Sequence, residues 1–113
     1  MALALNVFQT VTSIASTNPV GIYTAPVGYT GVVLLAQATN ITSNPQTVSF
    51  SHERTTAGVA VTTELLKDFA IPANDTANLL AGKLVLETND VMVLSADTST
   101  GVKFLASILE TLN

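Results

Sequence analysis

The sequence predicts an all-β protein: a single antiparallel β-sandwich or jelly-roll-like domain with an apolar N-terminal arm. Three observations carry this expectation. Thr occupies seventeen of the 113 positions, and with Val and Ile it supplies β-branched side chains that sit well on a pleated surface and poorly in helices. Turn signals built on Asn, Asp, Pro and Gly recur at a spacing of about 8–12 residues, as in sandwiches and barrels. Between them, apolar and polar residues alternate with a period of two.

Val7 to Ser16 reads as a strand, with Val7, Gln9, Val11, Ser13 and Ala15 on one face and Phe8, Thr10, Thr12, Ile14 and Ser16 on the other. Neither face is strongly polar, which suits a strand covered on both sides. Asn18-Pro19 turns the chain, Val20 to Thr24 is a short strand, and Ala25 to Gly28 turns again, Pro fixing φ and Gly accepting a positive φ. Gly31 to Asn40 is the central-strand candidate, because Val32, Val33, Leu34 and Leu35 are apolar on both faces. Gln46 to His52 alternates, Val48 and Phe50 against Thr47, Ser49 and Ser51, and Glu53 to Gly58 reads as a polar loop. Val59 to Ile71 is ambiguous, since Thr63 to Ala70 could make a helical turn or two, but the extended reading is favoured, ending where Pro72 pushes its predecessor towards the β region, and residues 72–76 form a turn. Lys83 to Glu87 and Val91 to Ala96 read as an antiparallel pair joined by Thr88-Asn89-Asp90. Asp97 to Gly101 turns into a long final strand, Val102 to Leu112. The chain divides into residues 1–16, an arm and first strand, and residues 17–113, the sandwich.

Composition narrows the function. The chain is 48% hydrophobic with a mean hydropathy of +0.49, yet only 11% of its residues are charged, against about 25% in an ordinary soluble domain. Much of the outer surface must then be Thr, Ser, Asn and small apolar side chains, a surface suited to contact with other protein. Eight acids against four scattered bases argue against nucleic acid and against an anionic membrane surface. The longest apolar run, Gly31 to Ala36, is far below the roughly 18 residues of a membrane span. Met1 to Ala15 lacks a positive n-region, and Asn6, Gln9 and Thr10 interrupt its apolar stretch, so no signal peptide is predicted.

Reactive constellations are sparse. There is no cysteine, and His52 is the lone histidine. It has no Gly-x-Ser-x-Gly elbow and no second ligand beside it, so it reads as a surface residue at a loop rather than a general base or a metal ligand. Glu64 and Asp68 are four apart, and Glu87 and Asp90 flank a turn, but most carboxylates occupy turns, where their side chains bond nearby backbone. No catalytic residue, cofactor or metal is expected. Asn40-Ile-Thr42 and Asn74-Asp-Thr76 match the glycosylation acceptor as accidents of a Thr- and Asn-rich chain. Tyr23 and Tyr29 are the aromatics near a turn where a sugar-stacking platform would form.

From about Thr12 to Leu112 the order of signals resembles a recurring type of small virion protein of tailed bacteriophages. The resemblance rests on Ile22-Tyr-Thr-Ala-Pro-Val-Gly28 leading into Val32 to Ala36 and Asn40, then Ile71-Pro-Ala-Asn-Asp75, Leu84-Val-Leu-Glu87 with Asp90, and Ser107-Ile-Leu-Glu110. Asn74 stands where glycine would follow Pro-Ala, and Asn tolerates the left-handed region that such a turn needs. The apolar start, Ala2-Leu-Ala-Leu5, lies outside the pattern and reads as an arm reaching onto a neighbouring subunit.

The resemblance implies a non-enzymatic structural protein of the virion, made in the host cytoplasm and assembled on the particle, as capsid decoration or cement. A tail, neck, baseplate or fibre component with a carbohydrate- or host-binding role is the alternative. The expected partners are further copies of the chain, a trimer being the simplest order, and the major capsid or other virion proteins. Ala2, Leu3, Leu5, Val7, Phe8, Val11 and Ile14 are the candidate interface residues.

Overall fold

The computed structural model describes residues 6–113. Nine strands follow one another: β1 (Asn6–Ile14), β2 (Val20–Thr24), β3 (Tyr29–Asn40), β4 (Gln46–Thr56), β5 (Val59–Ile71), β6 (Thr76–Asn78), β7 (Leu84–Leu86), β8 (Val91–Ala96) and β9 (Val102–Leu112). They form two antiparallel sheets. The first runs β1-β9-β3-β6, with β7 also bonded to β3, and the second runs β2-β8-β4-β5.

The pairing is nested: β1 with β9, β2 with β8, β3 with both β6 and β7, and β4 with β5. A chain paired in this way is one long hairpin, and β9-β3 and β8-β4 contacts roll it into two sheets. That is a jelly roll, in which nearly every connection crosses between sheets.

The core lies between the sheets. Val33, Ala36, Ala38, Phe104, Ala106 and Ile108 face Val48, Phe50, Met92 and Leu94, and the rings of Phe50 and Phe104 meet across the gap at 5.6 Å. Small alanines on β3 and β9 leave room for these rings, so the layers interdigitate.

Several expectations change. Glu53 to Gly58 is no loop: β4 continues to Thr56 and pairs residue by residue with Val59 onward, and the reversal is a two-residue turn with positive φ at Ala57 and Gly58, the geometry that a twisted hairpin prefers. Residues 83–87 and 91–96 are not partners. β7 bonds β3 in the first sheet, while β8 joins β2 and β4 in the second. A tight Glu87-to-Asp90 turn reads locally as a hairpin, but this one carries the chain from sheet to sheet. The short β6 had no sequence signal of its own. Asn74 adopts the left-handed conformation at φ 57°.

Candidate assembly surface

Three polar clusters pin the sandwich and present its outer faces rigidly. Asp90, only 2% exposed, accepts bonds from His52 Nε2 at 2.9 Å, from Arg54 through both Nε (2.9 Å) and a terminal nitrogen (2.6 Å), and from the Glu87 backbone N–H at 2.9 Å. Arg54 also reaches Glu87 at 3.0 Å. The Asp90 carboxyl is held down at about 2, first by the Arg54 hydrogen bonds and then by His52 and the Glu87 N–H, against the opposing pull of burial. His52 is therefore not a loop residue on the surface. It lies within β4, its ring turned to Asp90, and together with Arg54 it fastens the β7–β8 crossover to the second sheet.

The second cluster joins the two sheets. Glu110 on β9, buried, accepts hydrogen bonds from Gln9 of β1 and from the Tyr23 hydroxyl of β2. Burial first, and then the bond and charge of Glu110, push the Tyr23 phenol well above the ordinary tyrosine value. Gly31 makes this possible, since a Cβ there would lie 3.2 Å from the Tyr23 hydroxyl oxygen. Tyr23 is half-buried with its ring packed against the core, so it does not present the exposed ring face on which a sugar would stack.

Asn40 makes the third. Fully buried, it donates to the carbonyls of Asn44, Ile71 and Pro72 and accepts from the Thr42 N–H and hydroxyl. Its amide is thus closed to glycosylation. Among the described residues no group of three His, Cys, Asp or Glu side chains is placed to hold a metal ion.

The outward faces of the two sheets differ. That of the second carries Ser49, Ser51, Glu53, Thr62, Glu64, Lys67 and Ser95 around Val93, an ordinary wet face. That of the first is apolar. Phe8 is 73% exposed and Val85 53%, and Ile14, Leu34, Leu35 and Ile41 are also exposed. Leu34 and Leu35 both face out because the pairing of β3 with β9 slips between Val33 and Leu35, a bulge that inserts an extra residue. Thr12, Ile14, Gln37, Thr39, Ile41, Lys103 and Leu105 line an open groove of about 630 Å³ at one end of this face. Among the outward side chains of β1, β9 and β3, Lys103 is the charged one.

The seven candidate interface residues separate accordingly. Phe8 and Ile14 stand on the apolar outer face, whereas Val7 and Val11 are half-buried on the inner face of β1, Val11 packed against the core. Ala2, Leu3 and Leu5 lie outside the described residues. Leu34, Leu35, Val85 and Ile41 share the apolar outer face and were not among the candidates. Leu34 and Leu35 read as core within an apolar run, and a bulge leaves no mark in the hydrophobic pattern.

The fold and surface together define a jelly-roll sandwich with one wet face and one apolar face. No family model matches the chain, and no curated protein matches it in sequence. Solved structures do match in fold. One is a chain of the T13 viral particle of infectious bursal disease virus, with a TM-score of 0.54, 8% identity, and coverage of 97% of this chain and 32% of that one. Another is VP2 of the subviral particle of the same virus, with a TM-score of 0.51, 10% identity, and coverage of 96% and 33%. A third is a subunit of disulfide-linked pili, the endospore appendages of Bacillus, with a TM-score of 0.49, 14% identity, and coverage of 100% and 97%. The chain spans about a third of the length of the viral chains it matches. At these identities the likeness is one of fold.

Proposed function

We propose that this protein is a non-enzymatic structural subunit of a virion, assembling through the apolar outer face of its first sheet. The single observation that carries the reading is that face: exposed Phe8, Ile14, Leu34, Leu35, Ile41 and Val85 with Lys103 as the charge among them, on strands locked from behind by Glu110 and Asn40. A monomer in water gains nothing from such a surface, and burying it against protein yields about 25 cal/mol per Å² of apolar area. The jelly roll shared with chains of a viral particle supports the class. The motif order from Thr12 to Leu112, similar to small virion proteins of tailed bacteriophages, favours capsid decoration or cement within that class.

In this reading copies of the chain associate with one another, a trimer being the expected order, and dock on the major capsid protein or another virion subunit. Each contact buries an area of the usual order, about 1,200–2,000 Å² in total, and many copies multiply it by avidity. Ala2, Leu3 and Leu5 extend the apolar sequence ahead of Phe8 and act with it as an arm.

A chain beginning at Gln9 tests the arm: its occupancy on purified particles is expected to fall well below that of the full chain. Wild-type occupancy without Ala2 to Phe8 ends the arm's role.

A further inference from the structure

The second sheet ends on an unguarded edge. β5 is thirteen residues long and bonded on one side only, to β4. The free groups of such an edge form a template for another strand, and proteins usually blunt it with Pro, Lys or a bulge. In β5 the guards sit in the second half, where Lys67 precedes a register slip and Asp68 takes a positive φ of 51°. From Val59 to Glu64 there is no Pro and no Lys, and the register with β4 runs unbroken from Thr56↔Val59 to Ser51↔Glu64. Of the other described edges, β2 is five residues with a slip and β6 and β7 are three residues each, while β1, nine residues in unbroken register with β9, carries Phe8 and Ile14 outward and belongs to the apolar face already described.

The side chains on this stretch are also uncovered. Val59 is 62% exposed and Val61 57%, since the β4–β5 hairpin reaches past the cover of the opposing sheet. Charge decides the occupant. Glu64 is the charged residue of the stretch. When two copies of it run antiparallel, centred on Val61 or Thr62, Glu64 meets Gly58 or Ala60 of the second copy and never its own equivalent. Centring on Val61 also sets Val61 beside Val61 and Val59 beside Thr63, the β-branched cross-strand pairs that stabilise sheets. The segment is complementary to itself.

We propose that β5 pairs with β5 of a second copy about a two-fold axis through Val61–Thr62, joining two four-stranded sheets edge to edge. The contact is isologous, and its bonds are those of strand addition. It doubles whatever order the apolar face sets, and it stands on β5 alone, so its failure and that of the apolar-face reading are distinguishable.

The test uses the full chain. Light scattering on the wild type and on Val61→Lys, which brings two cations together at the axis, is expected to show the assembly mass halved in the variant. Phe8→Ser, on the other sheet, leaves the twofold ratio in place. Because the chain has no cysteine, Val61→Cys and Thr62→Cys add an independent reading. A residue facing its own copy has Cα atoms about 4.5–5.5 Å apart, within disulfide range, so one of the two is expected to give a covalent dimer on oxidation. Equal masses, or no covalent dimer from either cysteine variant, overturn the proposal. So does a Val61→Lys chain that keeps its mass but loses particle binding, which would assign the edge to a different protein. If Val61→Lys does not fold, the cysteine variants decide.

Discussion

Asp90 gathers four hydrogen bonds onto one buried carboxylate, and its position explains why. The chain must leave the first sheet after Leu86 and enter the second at Val91 within one turn, and the carboxylate is anchored there by groups from β4 on one side and by its own turn on the other. Asp90→Ala removes the acceptor of the Glu87 N–H, the His52 ring and the Arg54 guanidinium, and is expected to cost about 2 kcal/mol of stability, read as a lower urea midpoint at unchanged slope. The pH dependence has a definite sign. The folded carboxyl titrates at about 2 rather than 3.8, so the stabilisation is complete above the ordinary value and is lost as pH falls through about 2. Urea midpoints measured across that window are expected to fall for the wild type and to change less for Asp90→Asn. Gly31 has an equally specific role, since it leaves the space in which Tyr23 reaches Glu110. Gly31→Ala is expected to destabilise by about 1–2 kcal/mol through overpacking, and pairing it with Tyr23→Phe tests the cause: the double variant should lose less than the sum of the singles.

At the scale of elements, β1, β2, β3, β8 and β9 were legible as strands, the alternation itself in β1 and the first half of β4, and the extended reading of residues 59–71 was sound because Ile71-Pro72 and the valines outweighed a helical turn over Thr63 to Ala70. What was not legible was tertiary. Glu53 and Arg54 look like loop because they are charged, yet Arg54 is a strand residue whose charge is matched by an Asp thirty-six positions away. Thr88-Asn89 looks like a hairpin turn, yet Asp90 draws it across the sandwich. The apolar face was half visible: Phe8 and Ile14 follow from the period of β1, whereas Leu34 and Leu35 reach the surface through a bulge that only the pairing with β9 reveals. Because the apolar face supports nothing beneath it, Leu34→Ser is expected to leave thermal stability within about 0.5 kcal/mol of wild type while lowering the mass of the assembled species in light scattering. A large loss of stability with assembly intact would place Leu34 in the core instead.

For the whole molecule, the scarcity of charge is distributed with purpose. The second sheet's outer face holds serines, threonines, Glu53, Glu64 and Lys67, while the first sheet's holds leucines, valines, Phe8 and one lysine. A jelly roll wound from one nested hairpin keeps both faces rigid with a core of small and aromatic residues, so the cost of ordering surface on association is low. The resulting object is suited to holding other subunits. The most direct test is to measure, by quantitative mass spectrometry, how many copies of the chain purified virions carry, comparing wild type with Phe8→Ser/Leu34→Ser. The expected result is a wild-type chain present in many copies per particle, with the double variant folded but reduced in occupancy by at least about tenfold, the loss of roughly 1.4 kcal/mol per contact. Wild-type occupancy of a folded double variant, or no chain on the particles at all, would contradict the account.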